Sequence, residues 1–408
     1  MDTESGAPRA RPRDRAEDRA HDRPEEHRGE RTGDRPAPPP RLPLLDVLRG
    51  VAILGTLAAN IWVFLPGVAE PAGAFRAVLD PLVNGKFYAM LAMLFGVGLA
   101  VQYRAAAAHG RRWPGRHGWR QVLLLVEGAL HTVLLFAWDV LMGYAVTALV
   151  VAWLLGRSER VRSVVMWAAL GVNLALMGAF TLLFFLFSAD DPDPVEVGEW
   201  ELLMIEGSYA AQVADRWSHF WGTRAEIAVA FPMVLFLFLL GVRLYRAGAF
   251  DDTAGGRRIR GRLLVWGLGL GLPLCVLGSA VPELGVAHRY AFSGPLMLGY
   301  VGLTGWLLDR ARGNGQVVRS LSAVGRTALS CYVLQNLLGS VVFFGWGLGL
   351  AGVLWGAGPL VIGASVAAVY CAMALVLAVA ARWWSSRFDR GPLESVSARL
   401  LALVPRRR

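Results

Sequence analysis

Lysine is nearly missing. In 408 residues there is one, Lys86, and the other basic residues are arginines. A GC-rich genome produces that bias, and no chemistry is read from it. Cysteine is scarce as well: Cys275, Cys331 and Cys371 stand apart inside apolar stretches, without metal-ligand spacing. That excludes a disulfide scaffold and points to buried apolar thiols. The histidines (His21, His27, His109, His117, His131, His219 and His288) form no HxxxH or HExxH, so no metal centre is expected. No GxxxxGK[ST] loop and no GxSxG elbow occurs, which removes P-loop and α/β-hydrolase chemistry. Residues 1–41 contain no apolar core of the signal-peptide kind, so the first apolar run is expected to stay uncleaved.

What the chain has in abundance is apolar sequence in long blocks. It is 55% hydrophobic with a mean hydropathy of +0.44, and short Arg-rich loops separate the blocks. That pattern belongs to a polytopic helical membrane protein. The formal charge of +10 invites a nucleic-acid role, but its placement argues against one. Residues 1–41 hold 10 Arg against 10 Asp or Glu, and the excess, 31 Lys and Arg against 21 acids, lies between the apolar blocks. Loop arginines of this kind orient helices and meet the headgroups of a lipid bilayer, so no nucleic-acid partner is expected. Residues 1–41 cannot bury enough apolar surface to offset ordering entropy and are expected to form a disordered cytoplasmic arm.

The expected fold class is all-α: a multi-pass membrane bundle of about ten transmembrane helices. The spans are 44–65, 82–103, 120–137, 139–156, 163–188, 225–245, 262–281, 291–309, 321–344 and 358–381. With both termini cytoplasmic, loops on that side carry 25 Arg and the opposite side carries four, Arg76, Arg216, Arg224 and Arg289. This is the bias expected in a bacterial plasma membrane. Acids do the reverse: Asp190, Asp191, Asp193, Glu196, Glu199, Glu201 and Glu206 gather in the outer connector 189–224. Trp200, Tyr209, Trp217 and Trp221 in that connector predict an interfacial helix, either plain surface or a lid over an outward cavity. The arm 1–41 is thus followed by an N-terminal membrane region 42–224, a C-terminal one 225–390 and a basic cytoplasmic tail 391–408. Gly-rich runs such as GVGLA and GLGLGLP are expected to be helix-packing surface.

Polar groups inside the spans are the candidates for chemistry, because an ionised group in lipid costs a few kcal/mol. Asp46 and Arg49, three apart, share one face of the first span and can pair. Arg49 either snorkels to the headgroups or meets an anionic ligand from the cytoplasm. Asn60 lies eleven residues on, about 16 Å up the helix, where interhelical hydrogen bonding is its ordinary role. Glu127 and His131, four apart, form either a proton relay or a neutral pair joining helices. Asp139 heads the fourth span, where capping alone would explain it. Lys86, with Asn84, enters the second span and can simply reach the interface. Arg326, Thr327, Ser330, Gln335 and Asn336 place polar groups along the ninth span. Adjacent Gln335 and Asn336 are expected to point different ways.

These residues carry a resemblance. LDVLRGVAILGTLAANI, KFYAMLAMLFGVGLAVQ, LHTVLLFAWDVLMGYAV, VGRTALSCYVLQNLLGSVVFFGWGLGL and FDRGPLESVSARL together resemble the YeiB-like family of bacterial membrane proteins, whose C-terminal part is a domain of unknown function. The likeness runs from about residue 41 to the end. Where the family usually has Trp after GPLE, Ser395 and Val396 stand here. The family is more distantly similar to transmembrane acyltransferases, which share an Arg-Gly in the first span and a polar residue eleven positions on, here Arg49-Gly50 and Asn60. In the branch with Asn, a catalytic His follows in the outer loop. This chain has no His from Ile61 to Asp80, which leaves His131, His219 or His288 to supply the base.

The resemblance implies an enzyme that passes an acyl group from cytoplasmic acyl-coenzyme A, a co-substrate rather than a bound cofactor, to a small-molecule or glycan acceptor outside. Arg49 would hold the coenzyme and Asn60 the acyl group. Glu127–His131 would be the base, and Asp139 would orient the acceptor. Lys86, Arg326 and Gln335 are further candidate binding residues. The alternative is a transporter of a small metabolite or lipid using the same polar line.

Overall fold

Runs of Leu, Val, Ala and Phe, broken by short turns rich in Gly and Pro, fold as helices, with no strand among the described residues. The computed structural model describes residues 43–65, 73–187, 198–311 and 315–404. The arm expected over 1–41 and the acids Asp190, Asp191, Asp193 and Glu196 lie outside the described residues. The helices are α1 (Pro43–Asn60), α2 (Gly73–Val83), α3 (Lys86–Ala108), α4 (His117–Leu134), α5 (Leu141–Leu155) and α6 (Glu159–Phe187). Three short helices follow, α7 (Glu199–Glu206), α8 (Tyr209–Ser218) and α9 (Phe220–Thr223), then α10 (Ala225–Arg246) and α11 (Ala254–Ala280). A 3-10 turn, the short α12 (Gly285–Ala287) and a π-turn His288–Phe292 lead into α13 (Ser293–Arg310). The chain ends with α14 (Gln316–Arg326), α15 (Ala328–Phe343), α16 (Leu350–Val353), α17 (Pro359–Ser385) and α18 (Pro392–Leu403).

Among the described residues, seven helical stretches are long and apolar enough to cross a membrane. The expectation of ten also needs α4, α5 and α15. Of these, α5 and α15 are shorter apolar helices, and α4 carries Arg120, Glu127 and His131 in its 18 residues.

Burial separates centre from rim. In α1 and in the stretch Phe75–Ala108, 61% of the apolar window is buried, against 11% in α6 and 22% in α11. On the rim helices Val164, Leu174, Leu182, Val265, Trp266 and Leu375 lie exposed. A monomer in water does not tolerate apolar surface on that scale, whereas lipid does. At the centre, small residues bring backbones together. A Cβ on Gly50 would run into the Leu321 carbonyl of α14, and one on Gly325 into the Asp46 carbonyl. Close approach of this kind replaces the hydrophobic drive that lipid does not supply.

Helix pairs bridge the expected division at residue 225, with α10 packed on α3 and α14 on α1. Over its helical part the tail 391–408 packs on the bundle. The Glu394 carboxylate of α18 accepts from the Leu329 and Ser330 amides at 2.9 and 3.3 Å, capping the start of α15. The thiols also depart from expectation: Cys275 and Cys331 are buried, but Cys371 on α17 faces outward.

Candidate functional site

The end of α4 is held open by other elements. Its final amides fold back, Leu135 and Phe136 both donating to the His131 carbonyl at 2.9 and 3.0 Å. The carbonyls of Val133 and Leu134 then lack helical partners. Arg216 of α8 donates to them at 2.8 and 3.3 Å, and the Tyr209 hydroxyl donates to Leu134 at 3.0 Å. A cation at a helix C-terminus is favourable by charge as well as by hydrogen bonding. The described part of the connector 189–224 is therefore clamped onto the turn that carries the polar residues.

Behind that clamp runs a chain of buried hydrogen bonds. The Tyr88 hydroxyl donates to Asn60 Oδ1. Asn60 Nδ2 donates to Asn336 Oδ1 at 3.1 Å, and Asn336 Nδ2 lies 3.1 Å from His131 Nε2. On the other side of the ring, His131 Nδ1 lies 3.1 Å from Asp139 Oδ1. That approach has ion-pair distance but lies off the axis of an ideal N–H bond. The Asp139 carboxylate beside Nδ1 favours the proton on that nitrogen, which makes Nε2 the acceptor and sets both amides as donors toward the ring. Donors therefore all point toward Asp139. Its carboxylate also accepts from the Tyr332 hydroxyl at 3.3 Å and the Met142 amide at 3.2 Å. The Met142 bond is the helix cap expected of Asp139, so capping and the pairing with His131 coexist. Gly128 makes room for this, because a Cβ there would sit 2.8 Å from Asp139 Oδ2.

A cavity of about 100 Å³ lies against this chain, walled by α3, α5, α10 and the π-turn. Tyr88 and Asp139, the two ends of the hydrogen-bonded chain, both line it, whereas Asn60, Asn336 and His131 are not among its lining residues. Its polar rim also holds Arg224, Glu226, Arg289 and Tyr290, and its floor is Ala92, Phe231, Val234 and Leu237. Arg289 pairs with Glu226 at 3.3 Å, and the Tyr290 hydroxyl donates to the same carboxylate.

The structure brings His131, Asp139 and Asn60 together and disperses the other candidates. Glu127 is not the partner of His131: it takes a hydrogen bond from Ser397 of α18. An i,i+4 spacing permits the pair, but the ring turns across the bundle to Asp139 instead. Asp46 and Arg49 pair with each other at 3.1 Å, part-exposed, at the opposite end of α1. Arg326 is exposed at that same end. Gln335 is buried and donates to Thr56 of α1 at 3.2 Å, one turn before the Asn60–Asn336 contact. Gln335 and Asn336 thus both meet α1, on successive turns. Among the other histidines, His219 is exposed beside Asp215. Sequence reasoning did not single out Tyr88, Tyr332, Arg224, Glu226 or Tyr290. The one available signal was polar groups at span edges, which loop chemistry also produces.

Lys86 does not reach an interface. It is fully buried, with Nζ 2.6 Å from His288 Nε2, and His288 Nδ1 lies 3.3 Å from Asp80 Oδ2. Among the described residues no group of three or more His, Cys, Asp or Glu is placed to hold a metal ion.

Residues 244–403 match the family model described as "Protein of unknown function (DUF418)". The chain is 27% identical over 392 residues to the uncharacterized protein YxaH of Bacillus subtilis, covering 87% of this chain and 92% of that one. It is 28% identical over 338 residues to the uncharacterized protein YeiB of Escherichia coli, covering 74% of this chain and 84% of that one.

Proposed function

We propose that this chain, similar to YxaH and YeiB and matching DUF418 over its C-terminal part, is a membrane-embedded group-transfer enzyme of the acyltransferase kind. The observation that carries this is the position of Asp139, a residue of the cavity wall whose buried carboxylate holds His131 behind it. Counted formally, with a neutral ring, the pair carries one negative charge. A base with its orienting partner, walled from water, suits general-base catalysis. In this reading Asp139 is the base, and His131 is its positioning and proton-sharing partner.

The acceptor oxygen or nitrogen attacks the acyl carbonyl, and its proton passes to the Asp139–His131 pair. The carbon–sulfur bond of an acyl-coenzyme A then breaks, and the thiolate takes up the proton. In a ten-span arrangement with cytoplasmic termini, the coenzyme phosphates would arrive at Arg49, about 16 Å from Asn60 along α1. The acceptor would enter at the Asn60 end. A transporter for a small metabolite or lipid is the second reading. It is favoured by one observation: Arg49 and Asp46 are absent from the cavity's lining residues.

The test is incubation of the purified protein with acetyl-coenzyme A labelled in the acetyl group, plus a bacterial membrane extract. Transfer of label that is lost in Asp139→Asn is expected. If the protein neither binds the donor nor transfers label, the enzymatic proposal fails. Flux into proteoliposomes without any acyl donor, lost in His131→Ala, would establish transport in its place.

A further inference from the structure

Arg224 stands apart from the other charges around the cavity. Asp139 is committed to His131, Tyr332 and the Met142 amide. Glu226 is committed to Arg289 and Tyr290. Arg224 is 9% exposed, and its hydrogen bonds go to neutral acceptors: Thr132 Oγ1 at 3.1 Å, the Asp139 carbonyl at 3.5 Å, Met142 Sδ at 3.8 Å, the Ala137 carbonyl and the Thr223 hydroxyl at 3.3 Å. Its Nε has no hydrogen-bond partner, and among the described residues no carboxylate oxygen comes within ion-pair distance of it. A buried guanidinium without a paired carboxylate is costly, and with its terminal N–H groups given to neutral acceptors the Nε–H is the donor left over for an anion.

The rest of the cavity says what is attached to that anion. From Arg224 the wall descends along α10 through Ile227, Ala230, Phe231 and Val234 to Leu237. Thirteen residues of helix span about 20 Å. Ala92 of α3 lies on the same floor. The charges are confined to the rim and the floor is apolar. A compact polar metabolite would leave that floor empty, and a neutral alkane would leave Arg224 unmet.

We propose that this cavity seats a single-chain anionic amphiphile, its carboxylate or phosphate on Arg224 and its acyl chain between α3, α5 and α10. This deepens the acyl-transfer reading by naming the substrate class of the same site. The acyl chain enters alongside Asp139, where the acceptor proton is removed.

Binding separates this from the function itself. Full-length protein in a neutral detergent is titrated with radiolabelled dodecanoate, dodecyl phosphate and, as the uncharged control, dodecanol. Saturable binding is expected for one or both anions, at least about tenfold tighter than for dodecanol. Which of the two binds tighter identifies the headgroup as carboxylate or phosphate. Arg224→Gln should erase the preference for the anions, and Arg224→Lys should keep part of it. Arg224 also braces the turn after α4, so a second variant is needed. Ala230→Trp fills the apolar floor without touching the Arg224 bonds and should weaken all three ligands about equally. Equal binding of dodecanol and the anions, or an anion preference that survives Arg224→Gln, overturns the proposal. So does competition by acetate or inorganic phosphate as strong as that by the amphiphiles. No acyl donor is present, so wild-type binding without acyl transfer would keep this inference and sink the enzymatic one. Transfer without any anion preference would do the opposite.

Discussion

Two buried histidines, His131 and His288, are each set against a carboxylate through Nδ1 and against a nitrogen through Nε2. The nitrogens differ. For His131 it is the amide of Asn336, so Asp139, His131 and Asn336 together carry one negative charge. For His288 it is the ammonium of Lys86, so Asp80, His288 and Lys86 sum to zero. By formal charge the first set is one proton short, and its Asp139 is a residue of the cavity wall. The second is internally neutral, and neither Lys86 nor His288 is among that cavity's lining residues. The same pairing thus gives a chemical site in one place and a brace between α2, α3 and the π-turn in the other. What decides is the charge of the third partner and access to empty space.

The comparison is broken most severely at Asp139. Asp139→Asn keeps the shape and the cap on α5 but removes the negative charge. Label transfer should fall by about 10²–10⁴-fold with little change in the thermal midpoint. His288→Ala should act the other way. Leaving Lys86 and Asp80 buried without their bridge should cost about 3 kcal/mol of stability, read as a drop in thermal midpoint, while transfer per folded molecule is retained. If His288→Ala abolishes transfer in folded protein, the brace is a second chemical site and the contrast collapses.

A smaller effect is expected at Gly128, where an added methyl would meet Asp139 Oδ2 at 2.8 Å and the Met142 amide nitrogen at 2.9 Å. Gly128→Ala should displace the carboxylate and lower stability by about 1–3 kcal/mol, measured by thermal unfolding, with a loss of transfer larger than the loss of folded protein. Equal losses would mean that Asp139 only caps α5.

Much of the architecture was legible in the sequence, because apolar blocks of helical length leave few alternatives in lipid. The pairing of Asp46 with Arg49 was legible too, since both lie on one helix at a spacing that brings side chains together. That same rule misled at Glu127. It sees partners within a helix and is blind to one across a turn, which is where Asp139 sits. Asn336 was harder still: its partners Asn60 and His131 lie 276 and 205 residues away in sequence, and only packing brings them together. Arg224 could not be told from an ordinary loop charge, because its defining property, no carboxylate at ion-pair distance among the described residues, exists only in three dimensions.

The mildest test lies at the far end of the chain of hydrogen bonds, at Tyr88. Its hydroxyl donates to Asn60, which is 1% exposed, and its backbone carbonyl is held separately by the Tyr144 hydroxyl at 2.7 Å. Tyr88→Phe therefore removes one donor without freeing the backbone, and the Arg289 guanidinium keeps an aromatic face beside it. Asn60 Oδ1 would be left buried without a donor, a cost of about 1 kcal/mol, and the amide chain would be less strongly polarised toward His131. About a fivefold loss of transfer is expected, alongside a stability loss of the same 1 kcal/mol. If transfer is unchanged while stability falls, Asn336 alone fixes the His131 ring and the order of donors is packing without consequence. If transfer falls far more than fivefold, Tyr88 touches the substrate itself, as its place on the cavity wall allows, and the chain's two ends act on one bound molecule.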